Sequence, residues 1–427
     1  MCAVGSVALR EACRRAGVEG PRANDLDLSW VLDPEAGTAL LEEKGVLHPT
    51  TDANRDRGTL AMKLGDQRIE ITSFRGDAGR DPSAAIADRI AADLDGRDMT
   101  VGALAWWLAE DRILDPLGGL QHWREGRVVA VGDPEERIRE HPVRWLRYYR
   151  RAHQWGFDLD TRIRKVRLDT SILDDVPPEA IAAEIRAALL GCASPGRFLM
   201  ELSEIGILQR IAPELAHQFD GRAAGPVRHH PEVSQGLHLI LSLEWIHAHT
   251  TQLSDNDRLT AAVAVLCHDM GKGFTDADTL PSHHGHEDHG VRHVRKLLDR
   301  LPGLADAAAR RLAETVCALH TQARGLENVR AGTRAKLYER WFKDKEFPVD
   351  LFALALGADV GGRLDMATAG EETASKVERD LNFLRQRCGE VDVGSLWKQY
   401  GDHKERFLAE RHEAFARALQ GWKPGQD

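Results

Sequence analysis

Paired cysteines are missing from this sequence. Six single cysteines (Cys2, Cys13, Cys192, Cys267, Cys317 and Cys388) are scattered without a CxxC spacing. That excludes a disulfide scaffold or a zinc ribbon and points to a reduced, cytoplasmic setting. Long apolar runs are missing too: stretches such as residues 259–267 are too short to cross a bilayer, so no membrane partner is expected. The opening "MCAVGSVALREACRR" has no basic n-region ahead of its apolar residues, so no signal peptide is expected. A basic surplus is absent, since 57 Lys and Arg face 67 Asp and Glu for a net charge of −10. The surface is therefore not coated for nucleic acid, although a local basic patch can still steer a polyanion. There is no internal repeat and no low-complexity segment.

What is present is an ordinary globular composition, 42% hydrophobic and 29% charged, in a chain long enough for two to four domains. The nineteen histidines are the informative excess, crowded between His217 and His320. A metal site needs such a supply and a solvated surface does not.

The first part mixes short strands with turns. Residues 25–32 (DLDLSWVL) and 67–74 (QRIEITSF) alternate polar and apolar positions, as half-buried strands do. Residues 58–65 (GTLAMKLG) would pair with the second through a turn at Gly65-Asp66. From about Pro134 the pattern becomes helical, with helices expected over residues 179–191 and 201–211. The expected fold is α+β: a small mixed-sheet head at 1–133, a helical neck at 134–222, and a helical body at 223–427.

Two constellations carry chemistry. Asp25 and Asp27 flank one residue on a strand, so both carboxylates leave the same face and repel unless a cation lies between them. Hard oxygen donors suit Mg²⁺, and Glu70 on the neighbouring strand could add a third. Further on, Pro142 is placed for the first turn of a helix on which Arg144, Arg147 and Arg150 recur every three residues. Their planar forks match phosphate. In "AVAVLCHDMGKGFT", Gly271 and Lys272 read as an ordinary helix stop with a charge complementing the dipole. The His268-Asp269 pair is not explained that way.

Asp25-Leu26-Asp27, "RIEITSFR", "GRDMTVGALA", "DPLGGLQ", the arginine helix and "FLMELSEIGILQRIAPEL" occur in one order over essentially the whole chain. In this the sequence resembles the bacterial class II tRNA nucleotidyltransferases, the CCA-adding enzymes, of the type with a C-terminal HD phosphohydrolase domain. The resemblance implies that Asp25 and Asp27 bind Mg²⁺ and that Arg97, Arg147 and Arg150 hold the nucleotide, with Arg10 a further candidate. Arg144 corresponds to the arginine that reads the incoming base, CTP or ATP, and the acceptor would be the 3′ end of a tRNA or related RNA. The chain departs from the family pattern at Gly5-Ser6, where paired glycines are usual, with Arg10 and Glu11 shifted behind them. It departs again at Gly102, in place of an asparagine, and at His141, in place of the base-reading aspartate.

The histidine block follows the order of an HD domain: His238, then His268-Asp269, then His283, His284, His286 and His289, then Asp359. His238, His268, Asp269 and Asp359 are the expected core ligands, with His284 and His286 as second-metal or phosphate contacts and Lys272 able to neutralise phosphate charge. Such a centre can lower the pKa of a water towards ~7 for attack on a phosphoester. Ni²⁺, Co²⁺, Mn²⁺ and Mg²⁺ all suit these ligands. By resemblance the domain would act as a 2′,3′-cyclic phosphodiesterase or phosphatase. Two rival readings stand beside this one: a head that grips RNA ends while only the HD domain is catalytic, and a transferase with a different base or acceptor.

Overall fold

The structure, a computed structural model, describes residues 1–22, 26–50, 58–65 and 67–422. Asp25 lies outside the described residues. The chain forms two compact units, Met1–Ile172 and Leu173–Asp427, and the division falls inside the stretch expected as the neck.

The first unit is built on a seven-stranded sheet: β1 (Cys2–Val4), β2 (Asp27–Trp30), β3 (Leu47–His48), β4 (Thr59–Leu64), β5 (Gln67–Ser73), β6 (Ala105–Trp107) and β7 (Arg112–Leu114). The order is β3-β4-β5-β2-β1-β6-β7, with β2 and β5 parallel and the other neighbours antiparallel. The expected hairpin is present, with Leu64 opposite Gln67. Alternation on β1 sends Cys2 and Val4 into one core, with Phe74, Ile90 and Leu94, and Ala3 into another, with Leu28, Trp30 and Ile71. Both faces are thus covered, which makes β1 and β2 interior strands. Helix α1 (Ser6–Arg15) leaves β1 through Gly5, whose φ of 64° and ψ of −135° suit glycine alone. Helix α2 (Ile86–Asp95) and helix α3 (Val143–Trp155) complete the elements that matter for the site. On α3 the buried stripe is Trp145, Leu146, Tyr148, Tyr149 and Ala152.

The second unit is helical. Pro178–Gly191 forms as expected, but residues 201–211 are not one helix: Pro195–Glu204 stops and Ile207–Ile211 restarts. Gly206, at φ 79°, is in the left-handed conformation that ends an α-helix, and it overrides the continuous apolar spacing. The core is α5 (Asp255–Cys267), flanked by α4 (Gln235–His249), α7 (Ala307–Ala323) and α8 (Val349–Gly361), with α6 (His286–Arg300) packed on α7. Every residue from Leu259 to Cys267 is buried, which is why this run is apolar all round. Each buried Leu or Val there contributes about 1.5–3 kcal/mol relative to an exposed one. Among the described residues no helix is long and apolar enough to cross a membrane, and all six cysteines are free and buried.

Candidate active sites

In the first unit the site is built where β2, β5, α1 and α3 bring carboxylates and guanidinia together. Parallel pairing sets Asp27 opposite Glu70, so the two side chains rise from one face of adjacent strands. Asp27 is exposed and Glu70 half-buried, with Arg68 Nη2 3.2 Å from Glu70 Oε1. A Cβ on Gly5 would lie 3.6 Å from Asp27 Oδ2 and 4.0 Å from Arg97 Nη1. The N-terminus of α1, with its unpaired backbone N–H groups, therefore sits beside both a carboxylate and a guanidinium.

The arginines are held in place by specific acceptors. Arg97 donates to Asp93 Oδ2 and to the Gly102 carbonyl, both at 3.4 Å. Arg147 Nη1 donates to Asp98 Oδ2 at 3.0 Å, and Tyr148 donates to the Asp98 carbonyl at 3.0 Å. Burial works against the charge on Asp98, yet Arg147 and Arg144 keep its carboxyl below the usual aspartate value. Arg144 is buried, with Nη1 on Glu140 at 2.8 Å and Nη2 on the Gly96 carbonyl at 3.0 Å. Arg150 is also buried and donates to Gln154 Oε1 at 2.9 Å. His141 is exposed between helix Pro134–Glu140 and α3, and its carbonyl accepts from the Arg144 N–H at 2.9 Å. Partial desolvation of its ring, exposed as the residue is overall, and the neighbouring Arg144 charge lower its pKa below that of an ordinary histidine, which favours the neutral ring at pH 7. Arg10 does not join this group; it is exposed on α1, where Leu9 takes the buried position.

In the second unit four imidazoles converge. His268 Nδ1 donates to the Val265 carbonyl at 2.6 Å, His286 Nδ1 to the His283 carbonyl at 2.7 Å, and His320 Nδ1 to the Val316 carbonyl at 3.3 Å. Carbonyls only accept, so each Nδ1 carries the proton and each Nε2 presents a lone pair. His238 Nδ1 lies 3.0 Å from Glu232 Oε1. The Nε2 atoms then face Asp269 and one another. His268 Nε2 is 3.3 Å from His238 Nε2 and 3.2 Å from Asp269 Oδ2, and His238 Nε2 is 3.4 Å from Asp359 Oδ1. His286 and His320 Nε2 lie 3.4 and 3.3 Å from the other oxygen, Asp269 Oδ1. Lone pairs do not approach lone pairs at such distances without positive charge between them.

Some of that charge comes from the chain. Lys272 Nζ is 2.6 Å from Asp269 Oδ2, Arg324 Nη1 is 2.8 Å from Asp359 Oδ2, and Arg363 Nη2 is 3.3 Å from Asp359 Oδ1. Burial opposes ionisation of both aspartates, but Lys272 beside Asp269 and Arg324 beside Asp359 hold their carboxyls well below the usual range. Burial also opposes protonation of His238 and His286, yet contact with Asp359 and Asp269 raises them above an ordinary histidine. Asp269 Oδ1 is buried without an aligned donor. His238, His268 and Asp359 form one group able to hold a cation, Asp269, His286 and His320 a second, and His230, Glu232 and His238 a third that shares His238 with the first. The residues fit divalent metal.

Comparison with known proteins now bears on both centres. Residues 13–129 match the Poly A polymerase head domain and residues 235–348 match the HD domain. The multifunctional CCA protein of Actinobacillus pleuropneumoniae serotype 5b is 31% identical over 390 residues, 88% of each chain. The chain belongs to the multifunctional CCA protein family of class II CCA-adding enzymes. The Laribacter hongkongensis multifunctional CCA protein is 34% identical over 278 residues, 63% of this chain and 64% of that one. The crystal structure of the Bacillus stearothermophilus CCA-adding enzyme in complex with CTP shares the fold, with a TM-score of 0.61 at 18% identity over 98% of this chain and 88% of that one.

Within this family member the structure brings together most of the expected residues and adds others. His284 does not join the centre: it is exposed ahead of Gly285, whose φ of 76° starts α6 so that His286 turns inward instead. His320 takes the place given to it. The signal was its spacing, because Ala313, Val316, Cys317 and His320 form a buried helical stripe interrupted by an imidazole. Gly271 does not stop α5, which ends at Cys267 with His268 as its cap. A Cβ at Gly271 would overlap the His286 carbonyl, so glycine is required for close approach to α6. Asp93, buried against Ser29, Arg97 and the Arg75 backbone N–H, orders the head and had no distinguishing signal in an amphipathic helix.

Proposed function

We propose that this CCA-adding enzyme transfers nucleotides from CTP and ATP to the 3′ hydroxyl of tRNA or a related RNA, in the cytoplasm, and that its HD domain hydrolyses phosphoesters. One observation supports the transferase reading above others: Asp27 Oδ2 and Arg97 Nη1 meet at Gly5, at the N-terminus of α1. There the RNA hydroxyl attacks the α-phosphorus and pyrophosphate leaves. Mg²⁺ held by Asp25, Asp27 and Glu70 would supply charge neutralisation for the attacking and leaving oxygens. Arg97 and Arg147 orient the triphosphate through their forks, and the α1 N-terminus offers backbone N–H groups to it. The test is to incubate the protein with tRNA lacking its 3′ terminus and each labelled nucleotide separately. Absence of incorporation with every nucleotide would leave the HD domain as the only catalyst.

For the HD domain the supporting observation is that the two oxygens of Asp269 face different imidazoles. His238, His268, Asp269 and Asp359 would hold one divalent ion, and Asp269, His286 and His320 a second. Mn²⁺, Co²⁺ or Ni²⁺ suits this mixed donor set and would supply Lewis acidity towards a phosphoryl oxygen. Lys272 stays near enough to Asp269 to balance phosphate charge. A 2′,3′-cyclic phosphate at an RNA end is the substrate class proposed. His141 favours one further reading, a transferase whose base preference is broader than the family's, because a neutral imidazole stands beside Arg144 where an aspartate is usual.

A further inference from the structure

Three of the four converging imidazoles are steered by backbone carbonyls; the fourth has a different partner. His238 is fully buried, and its Nδ1 lies 3.0 Å from Oε1 of Glu232, close enough for an ion-pair contact but not aligned as a hydrogen bond, with no other partner for that nitrogen among the described residues. Glu232 is itself buried, and the same oxygen is 2.8 Å from His230 Nδ1. A carboxylate taken out of water is costly unless it is paired, and among the described residues its partners are the two imidazoles rather than a Lys or Arg. Its second oxygen has no hydrogen-bond donor.

The backbone is also distorted to place it there. Val233, the next residue, has φ 67°, a conformation that a β-branched side chain adopts only under strain. Val233 is 53% exposed while Glu232 is 3% exposed, so the strained turn pushes an apolar side chain into solvent and a carboxylate inward. Held strain of this kind clusters at functional positions. His230 is fixed in turn: a Cβ on Gly225 would come 2.5 Å from its Cδ2, so the ring packs flat against a bare backbone.

We propose that Glu232 is a positioning residue for the HD metal centre. Its Oε1 is the acceptor nearest to His238 Nδ1, at 3.0 Å, so its charge keeps the proton on that nitrogen and leaves Nε2 to the position shared with His268 and Asp359. His230 holds the carboxylate from the other side. This rests on the reading of the helical unit as a metal centre. It makes His238 the one of the four converging imidazoles oriented by a side chain rather than by a backbone carbonyl.

The test is Mn²⁺ affinity of the full chain, measured by titration calorimetry, together with the visible spectrum of the Co²⁺-loaded protein. Glu232→Ala should weaken Mn²⁺ binding by roughly ten- to a hundredfold and alter the Co²⁺ spectrum, with far-ultraviolet dichroism unchanged. Glu232→Gln keeps a carbonyl that can accept from Nδ1, so it should recover most of the lost affinity. Wild-type affinity in Glu232→Ala, or a Gln variant as weak as the Ala variant, overturns the proposal. His238→Ala separates the two levels. If it loses metal while Glu232→Ala does not, the metal centre stands and the positioning role falls. If His238→Ala also binds as wild type, the metal centre falls and the role with it.

Discussion

The two centres face opposite charge problems. In the head, several guanidinia gather near the site, tied in advance to carbonyls and to Asp93 and Asp98. In the HD domain, imidazole lone pairs and two buried aspartates converge, and Lys272, Arg324 and Arg363 approach from outside. A site rich in fixed cations suits a substrate that arrives with its own negative charge, as a nucleoside triphosphate does. A site rich in buried lone pairs suits a cation that stays, and the substrate follows. The difference extends to support. Asp27 begins a strand and is exposed, whereas His238, His268 and Asp269 are almost wholly buried near helix ends.

If the centres are independent, substitutions should separate them completely, and that is the largest effect expected. Asp27→Ala should remove nucleotide incorporation, a loss on the order of a thousandfold, or about 4 kcal/mol, and leave phosphoester hydrolysis intact. Equal loss of both activities in a folded protein would collapse the two-centre comparison. Asp269→Ala is the converse. Its carboxylate faces both groups of imidazoles, so both cation positions should be affected, hydrolysis lost and transfer retained. Elemental analysis checks this, and a variant with undiminished metal content would show that Asp269 is not a ligand.

A smaller effect separates the two glycines that support the centres. A Cβ on Gly271 would overlap the His286 carbonyl and lie 3.0 Å from Gly290 N, and neither backbone atom can rotate aside. Gly271→Ala should therefore push α6 and His286 from Asp269, costing about 3 kcal/mol by overpacking and reducing hydrolysis. Gly5 meets only ordinary contacts, and its requirement is conformational. Gly5→Ala should destabilise by about 1–3 kcal/mol and lower transfer alone. Denaturant unfolding with both assays reads this out; hydrolysis unaffected by Gly271→Ala would show that α6 tolerates the shift.

Much of this was legible in the sequence wherever a period or doublet marks it. Alternation located β2 and β5, three-residue spacing located the arginine face of α3, and His268-Asp269 located the end of α5. What escaped depends on tertiary approach. Nothing local distinguishes His284 from His286 two residues on; the left-handed Gly285 between them decides which ring turns inward. His320 lies far in sequence from Asp269 and His286, and a single polar residue within a helix carries no distance information, while Glu232 sits only six residues before His238 in a stretch that no period or doublet marks. Gly271 read correctly as necessary but for the wrong reason, since helix termination and close packing both call for a missing side chain. Gly206 acted against an apolar pattern that continued across it.

The smallest expected effect concerns selectivity in the head. His141 stands three residues before Arg144, whose guanidinium is fixed by Glu140 and the carbonyls of Arg137 and Gly96. Because partial desolvation and the Arg144 charge lower its pKa, the neutral ring is favoured at pH 7, with one donor and one acceptor. An aspartate at this position only accepts, which suits the exocyclic amino groups of cytosine and adenine and repels the carbonyls of uracil and guanine. The imidazole can turn either nitrogen to a base, so it penalises the wrong carbonyl less. A reversed polar contact in a desolvated site is worth about 1–3 kcal/mol, roughly ten- to a hundredfold in discrimination. Wild type should therefore discriminate less sharply among the four nucleotides, and His141→Asp should shift incorporation towards CTP and ATP by that factor. Relative kcat/KM for each nucleotide in the two proteins measures it. Identical selectivity would mean that His141 only joins the helix Pro134–Glu140 to α3, and that the fixed Arg144 reads the base without it.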